Sequence, residues 1–213
     1  MIKAVLFDLD GTLFDSSPGI FHTANYTMRT LGFSTSDDPV QMKKFIGPPL
    51  RECFRITYGT EEKYLDRCAE VYREEYSRNG IHMMHMYDGM RELLERLKGR
   101  GYLLGICTNK IMELALRIVK EQELEHLFDT VQGIDRNGKV TKSDCILNAM
   151  DALRVGPDRV LMVGDTENDS RGAREANVRF CGVTYGFGFS SVSEIDGYAA
   201  EQPMDILDIL SEI

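Results

Sequence analysis

The sequence predicts an α/β fold, with a doubly wound parallel sheet as its core and a small all-α domain inserted into it. From residue 88 onward, short apolar runs alternate with amphipathic helical patterns, which is the arrangement that builds parallel sheets. Residues 16–86 show helical periodicity instead and contain no convincing strand pattern. We therefore expect a core domain made of residues 1–15 and 87–213, and a helical cap domain made of residues 16–86.

The first predicted strand is Ala4–Phe7, a short apolar run that is typical of a strand buried on both faces. Asp8 and Asp10 follow it, and Gly11 then allows a sharp turn. Two buried carboxylates this close together repel each other, and a divalent cation such as Mg²⁺, which prefers oxygen ligands, removes that cost. An ordinary Asp-Gly turn is the alternative. A calcium-binding loop is excluded because the glycine directly follows the second aspartate.

Helical patterns and strands then follow along the chain. In the inserted domain the helical patterns are Ile20–Leu31, Val40–Phe45, a segment that begins near Leu50, and Glu61–Arg78. In the core the predicted helices are Gly89–Gly99, Met112–Glu121, Ser143–Leu153, Ser170–Ala176 and Ile206–Leu210. The predicted core strands are Tyr102–Cys107, Phe128–Gln132, Val160–Val163 and Phe180–Thr184. Ligands bind such sheets at the edge where the strands have their carboxyl ends.

Two of these later strands end in polar residues. Thr108 and Asn109 follow the second strand, where a hydroxyl and the amides of a starting helix suit a phosphate oxygen; a plain helix cap is the alternative. Asp165 and Asp169 follow Val160–Val163, where the alternative is a polar loop that caps a helix. A second acidic strand end in the same sheet is difficult to explain without a metal ion.

These motifs resemble those of a known family. The nine residues Asp8–Ser16 are similar to the first motif of the haloacid dehalogenase-like hydrolases, in the phosphoglycolate phosphatase-like group. Thr108 and Asn109 resemble the second motif of that family, and Asp165 and Asp169 resemble the fourth. The resemblance covers the chain nearly end to end, and it implies a Rossmann-like, HAD-like core with a helical cap between the first two motifs.

The third motif of the family is a single basic residue. Lys142 stands where the family places its lysine, just before the helix predicted from Ser143. Many relatives continue with prolines after this lysine, whereas this chain has Ser143 and Asp144. Lys139 is therefore a rival candidate, and a solvated surface lysine is the structural alternative.

The resemblance implies a Mg²⁺-dependent phosphatase. Asp8 would attack the phosphorus and become an aspartyl phosphate, and Asp10 would protonate the leaving alcohol and then activate water. The implied phosphate-binding residues are Thr108, Asn109 and Lys142, and the implied metal ligands are Asp8, Asp10, Asp165 and Asp169. Family members that cleave carbon–halogen or carbon–phosphorus bonds lack an aspartate at the position of Asp10, so its presence indicates phosphoryl chemistry.

The substrate is predicted only at the level of the family, as a small phosphomonoester with phosphoglycolate as the first choice. A 5′-nucleotidase or a pyrophosphatase is a close alternative. A β-phosphoglucomutase-like phosphosugar mutase is disfavoured by Thr12, since those relatives commonly have a hydrophobic residue there. A non-catalytic phosphate-binding protein is disfavoured because Asp8 and Asp10 are both present.

Two further segments lie outside the four motifs. The segment Gly47–Arg51 resembles a cap loop that faces the active site in relatives, which makes Arg51 a candidate for binding a substrate carboxylate or second phosphate. A surface arginine on a helix is the alternative. The segment Tyr185–Gly188 follows the last predicted central strand, and the sequence gives no argument for a role.

The composition of the 213-residue chain limits its partners. Apolar residues make up 43%, and the net charge of −9 argues against nucleic acid or an anionic membrane as the main partner. We expect a small phosphorylated metabolite instead. The five cysteines include no CxxC pair, which favours free thiols in a cytoplasmic protein. No signal peptide or membrane span is predicted, and a monomer and a homodimer both remain open.

Overall fold

The computed structural model describes residues 1–135 and 139–213. The chain divides into two compact units, one made of Met1–Phe14 and Met86–Ile213 and the other of Asp15–His85. These boundaries differ by one residue at each end from the predicted insertion at residues 16–86. We call the first unit the core unit and the second the helical unit.

The strands and helices are numbered in chain order. The strands are β1 (Ala4–Phe7), β2 (Phe14–Asp15), β3 (His85–Met86), β4 (Leu103–Ile111), β5 (Thr130–Ile134), β6 (Val160–Gly164), β7 (Arg179–Val183) and β8 (Tyr198–Ala200). The α-helices are α1 (Ser17–Thr30), α2 (Pro39–Lys43), α3 (Leu50–Tyr58), α4 (Glu62–Arg78), α5 (Met90–Gly99), α6 (Met112–Glu121), α7 (Lys142–Leu153), α8 (Glu167–Glu175) and α9 (Asp205–Glu212).

The core unit contains a six-stranded sheet in the order β5-β4-β1-β6-β7-β8, and all neighbouring pairs are parallel. The predicted doubly wound parallel sheet is therefore confirmed. The chain builds the sheet outward from β1 on one side and then returns to build the other side. The strand order thus reverses at β1, and the carboxyl end of that strand is where such sheets bind ligands.

Strand β1 lies at the centre of the hydrophobic core, and all four of its residues are fully buried. Ala4 and Leu6 lie two positions apart, so their side chains point to the same face of the sheet. On that face they belong to a buried cluster with Ile146 of α7, Met162 of β6 and Phe180 of β7. This packing fixes the strand whose end carries the first two aspartates.

The observed strands differ from the sequence prediction in several places. Strands β2 and β3 were not predicted, and β5 begins and ends two residues later than predicted. Strand β4 continues to Ile111, four residues beyond the predicted end, and its register with β5 shifts between Thr108 and Ile111. Thr108 and Asn109 therefore lie in an extended strand and do not start a helix, because helix α6 begins only at Met112. Strand β8 was not predicted, since a three-residue segment with two alanines shows no alternation of apolar and polar residues.

The helical unit contains α1 to α4 and has its own aromatic cluster. The ring of Phe45 lies 4.9 Å from that of Phe54 and 5.5 Å from that of Tyr72, measured between ring centroids. Arg51 forms ion pairs with Glu62 and Asp66 on α4.

Within residues 1–135 and 139–213, no helix combines the length and the hydropathy that crossing a bilayer requires.

The chain passes between the two units through β2 and β3. These strands pair with each other in a separate two-stranded sheet, and both unit boundaries fall inside it. The amide of Tyr87 also donates a hydrogen bond to the carbonyl of Leu13. The two chain crossings therefore lie side by side.

Candidate active site

Asp8 and Lys142 form a buried ion pair at the carboxyl end of β1. The Lys142 ammonium lies 2.8 Å from Asp8 Oδ1 and 2.7 Å from Asp169 Oδ1, and it donates a hydrogen bond to the Cys107 carbonyl. Lys142 is only 4% exposed. The alternative candidate, Lys139, is exposed. The structure therefore brings Lys142 to the first aspartate, and the charge of Lys139 stays at the surface.

A helix cap explains why Lys142 lies where it does. Thr141 and Asp144 form a capping box, in which the Thr141 hydroxyl accepts from the Asp144 amide and the Asp144 carboxylate accepts from the Thr141 amide. Helix α7 therefore begins at Lys142. A side chain added at Gly172 of α8 would overlap the Lys142 stem, so a glycine at this point leaves the space that the buried lysine occupies.

Asp165 and Asp169 complete a carboxylate cluster with Asp8. Asp165 follows β6 and is fully buried, and Asp169 lies in the first turn of α8. Asp169 Oδ2 accepts hydrogen bonds from the amide and hydroxyl of Thr166, which caps that helix. Each of the three aspartates offers one oxygen atom, and these atoms all lie within 4.8 Å of one another.

The charges in this cluster do not balance. Three ionised carboxylates and one ammonium leave a net charge of −2. Burial, together with the charge of Asp169, raises the pKa of Asp8 from 3.8 to about 6, although Lys142 opposes this. Burial and the charges of Asp169 and Asp8 raise the pKa of Asp165 from 3.8 to about 8. The pKa of Lys142 is also raised, because the two carboxylates outweigh the effect of its burial.

Asp10 has a partner that the sequence prediction missed. The Lys110 ammonium lies 2.9 Å from Asp10 Oδ2, and its side chain is only 8% exposed. Asp10 Oδ1 is buried and finds no hydrogen-bond partner among the residues that the structure describes. Lys110 and Thr108 lie two positions apart in β4, and the Lys110 amide donates to the Thr108 hydroxyl. No local signal indicated Lys110, because the register shift between Thr108 and Ile111 interrupts the two-residue alternation of a regular strand.

The other predicted site residues occupy different settings. Thr108 is buried in β4, and Asn109 beside it is exposed. Strand β4 pairs with β1 so that Ile106 lies opposite Phe7, which brings Thr108 and Asp8 to the same edge of the sheet. Arg51 lies in the helical unit, where acidic side chains of α4 already bind its guanidinium. Its proposed contact with substrate stays a prediction.

Comparison with known proteins identifies the family. The family model described as haloacid dehalogenase-like hydrolase matches residues 5–183, a range that contains the three clustered aspartates, Asp10 and Lys142. The chain belongs to this family. The family and the fold class inferred from the sequence motifs are therefore confirmed, and so is the assignment to a hydrolase.

Individual relatives of this haloacid dehalogenase-like hydrolase differ in their named activities. It is 36% identical over 185 residues to a 5′-nucleotidase of Pseudomonas aeruginosa, covering 86% of this chain and 83% of the relative. It is 28% identical over 210 residues to a phosphoglycolate phosphatase of Aquifex aeolicus, covering 98% and 97% of the two chains. Among solved structures, a haloacid dehalogenase-like family hydrolase from Streptococcus pneumoniae superposes with a TM-score of 0.90 at 32% identity, covering 98% of both chains.

Proposed function

We propose that this haloacid dehalogenase-like hydrolase is a Mg²⁺-dependent phosphatase that hydrolyses a small phosphomonoester through an aspartyl phosphate at Asp8. The observation that carries the proposal is the cluster of Asp8, Asp165 and Asp169 around the Lys142 ammonium. It combines a carboxylate nucleophile, a fixed cation and an excess of negative charge at the edge of the sheet where ligands bind. The two relatives named as a nucleotidase and a phosphatase support the same reaction class.

The residues of the cluster fit a divalent cation. The net charge of −2 among buried groups is costly without a counter-ion, and carboxylate oxygens are the ligands that Mg²⁺ prefers. Asp8 and Asp165 would hold the ion, together with the backbone carbonyl of Asp10. Asp169 already binds Lys142 and the Thr166 cap, so we propose that it orients the site. When bound, Mg²⁺ would neutralise phosphate oxygens and the charge that develops during transfer.

The chain's own residues account for the two chemical steps. A carboxylate oxygen of Asp8 attacks the phosphorus, a new oxygen–phosphorus bond forms, and the bond to the leaving alcohol breaks. Asp10 donates a proton to that alcohol oxygen. Asp10 then accepts a proton from a water molecule that attacks the phosphorus, which releases inorganic phosphate and restores the Asp8 carboxylate. This order requires Asp10 to be protonated first and ionised second.

The remaining polar residues would position the transferring group. Lys142 holds Asp8 at 2.8 Å and supplies positive charge beside the phosphoryl oxygens. Thr108 and Asn109 are proposed to bind phosphate oxygens from the neighbouring strand end. Lys110 holds Asp10 Oδ2. This leaves Oδ1, which has no hydrogen-bond partner within residues 1–135 and 139–213, for proton transfer. We further propose that the helical unit acts as the cap that selects the substrate, with Arg51 as its candidate anion contact.

The proposal predicts a metal-dependent release of phosphate. A panel containing phosphoglycolate, nucleoside 5′-monophosphates, sugar phosphates and pyrophosphate should be assayed with Mg²⁺ and with EDTA. We expect hydrolysis of one monoester class in Mg²⁺ and at least a ~100-fold loss in EDTA, because the buried cluster then lacks its counter-ion. A nucleoside monophosphate and phosphoglycolate are the first compounds to compare, since the reported relatives divide between them.

Two outcomes would contradict this proposal. Isomerisation of a phosphosugar without net phosphate release would indicate the mutase instead. Binding of phosphate esters with neither turnover nor isomerisation would indicate a non-catalytic binding protein. A small phosphorylated metabolite as partner and a cytoplasmic location are also part of the proposal. The location is supported by the five unbridged, buried cysteines, all of which lie in the described part of the chain.

The raised pKa values predict how pH changes the effect of the metal. A carboxyl whose pKa is higher in the folded than in the unfolded state contributes stability that is present below the unfolded value of 3.8 and is lost as pH rises through the folded value. The metal-free protein should therefore lose this contribution between about pH 4 and pH 8, the window given by Asp8 at about 6 and Asp165 at about 8. Because Mg²⁺ pairs with the ionised carboxylates, we expect it to raise the Tm more at about pH 8 than at about pH 5.5.

Scanning fluorimetry with Mg²⁺ and with EDTA at both pH values measures this difference. NaCl at the same ionic strength separates binding of the divalent cation from simple screening, since a monovalent salt screens charges without neutralising the buried cluster. An equal rise in Tm at the two pH values would contradict the prediction.

A further inference from the structure

The loop Tyr185–Phe189, which follows β7, wraps around the fully buried Asp165. The Phe187 amide donates a hydrogen bond of 2.8 Å to Asp165 Oδ2, and the Phe189 amide donates one of 2.9 Å to the Asp165 backbone carbonyl. The sequence itself offers no argument for a role of this segment, and the proposed reaction steps give it no part. Its backbone nevertheless contacts a proposed metal ligand directly.

A second contact holds the other oxygen of the same carboxylate. The Thr12 hydroxyl, in the loop after β1, donates a hydrogen bond of 3.3 Å to Asp165 Oδ1. The Tyr185 hydroxyl in turn donates one of 3.3 Å to the Thr12 carbonyl, and the Tyr185 ring packs 4.8 Å from that of Tyr87. The carboxylate thus lies between two loops that are themselves joined, with one donor on each oxygen.

The approach of the loop depends on its glycines. A Cβ atom at Gly186 would overlap the Gly11 carbonyl and the Asp165 side chain, including a separation of 2.6 Å from Asp165 Oδ2. A Cβ atom at Gly188 would overlap the Asp165 carbonyl. Neither glycine has a φ in the left-handed region, so space rather than backbone conformation requires a glycine at both positions.

We infer that Tyr185–Phe189 is a positioning segment for the divalent cation: its backbone fixes the Asp165 carboxylate in the orientation that binds the ion. The inference rests on the proposed function, because it assumes that Asp165 is a metal ligand. A buried carboxylate held by two donors needs no reorientation when the cation binds, whereas a displaced one has to be moved back. Partners that orient metal ligands typically change metal affinity by about 10–100-fold when they are altered.

The substitution Gly186→Ala tests this inference. It adds one methyl group where the loop meets Asp165, and we expect it to weaken Mg²⁺ binding by about 10–100-fold. The matched control is Gly156→Ala, since a Cβ atom there meets no heavy atom of the described residues within 4 Å and the φ of −76° suits alanine. Mg²⁺ affinity should be measured by isothermal titration calorimetry on the full chain, with the metal-free Tm recorded for each variant.

A milder variant keeps the test decisive if Gly186→Ala does not fold. Tyr185→Phe removes only the hydroxyl that joins the loop to Thr12, and we expect Mg²⁺ affinity to fall about 2–10-fold, the effect of one hydrogen bond. Wild-type affinity in the folded Gly186→Ala protein, or in Tyr185→Phe if the first variant is unfolded, would overturn the inference while leaving the phosphatase proposal intact. Failure of the wild-type protein to bind Mg²⁺ would overturn both, and the wild-type titration alone reveals that case.

Discussion

Replacing Asp8 with asparagine is expected to abolish turnover, with a fall in kcat of about 10⁴-fold or more. An amide does not attack phosphorus as a carboxylate does, so no acyl phosphate forms, and removing a covalent nucleophile costs an enzyme most of its rate enhancement. The shape of the side chain is retained. Lys142 also keeps Asp169 and the Cys107 carbonyl as partners, and we therefore expect the variant to fold. Phosphate release in Mg²⁺ under substrate saturation measures the change.

Two controls make the Asp8→Asn result specific. Asp151→Asn makes the same change, from a carboxylate to an amide, at an exposed aspartate on α7. It should leave kcat within about twofold, as surface substitutions generally do. When a reaction with phosphate-labelled substrate is quenched, labelled phosphoprotein should be found for the wild type and not for Asp8→Asn. Retention of full activity by Asp8→Asn would exclude the proposed nucleophile.

The second large effect is expected from Lys142→Met. This change removes the ammonium that lies within 3 Å of two carboxylate oxygens and leaves those groups facing each other in a buried site. Breaking a buried ion pair from one side costs roughly 3–5 kcal/mol of unfolding free energy. Loss of a fixed charge beside the transferring phosphoryl group should lower kcat by about 10²–10³-fold. Chemical unfolding in EDTA and phosphate release in Mg²⁺ measure the two effects separately.

Lys139→Met is the matched control for Lys142→Met. It removes the same charge three residues earlier from an exposed side chain, and it should change neither stability nor kcat measurably. If Lys142→Met does not fold, Lys142→Arg keeps the charge but places a larger planar group between Asp8 and Asp169, so reduced kcat in a folded protein is expected. A large loss of activity in Lys139→Met with none at Lys142 would reverse the assignment of the motif lysine.

The sequence predicted best the site residues whose position follows from the pattern of a single buried strand. The apolar run before Asp8 and that before Asp165 each indicated a buried strand, and a parallel sheet brings the ends of such strands to one edge. That Asp8 and Asp165 lie at the same edge of the sheet could therefore be predicted from the strand order and direction. The choice between Lys139 and Lys142 could not be made in the same way, because it depends on which side chain the packing around Gly172 admits.

Lys110 shows what pattern reasoning leaves out. The prediction ended β4 at Cys107 because the next residues, Thr108 to Lys110, are polar. Pairing with β5 extends the strand to Ile111 regardless of that polarity. The contact between Lys110 and Asp10 is thus a consequence of strand pairing, which local sequence does not encode. The same reasoning applies to the Tyr185 loop, whose contacts with Thr12 and Asp165 join residues more than 20 positions apart.

The pairing of β2 with β3 has a consequence for how such proteins diversify. Since the chain leaves the core and returns to it on adjacent strands, only about 5 Å separates the two points of attachment. An insertion of almost any length can begin and end across so small a gap without shifting β1 or the strands beside it. Evolution, or an engineer, can therefore exchange the helical unit for another module while the reaction chemistry is inherited unchanged.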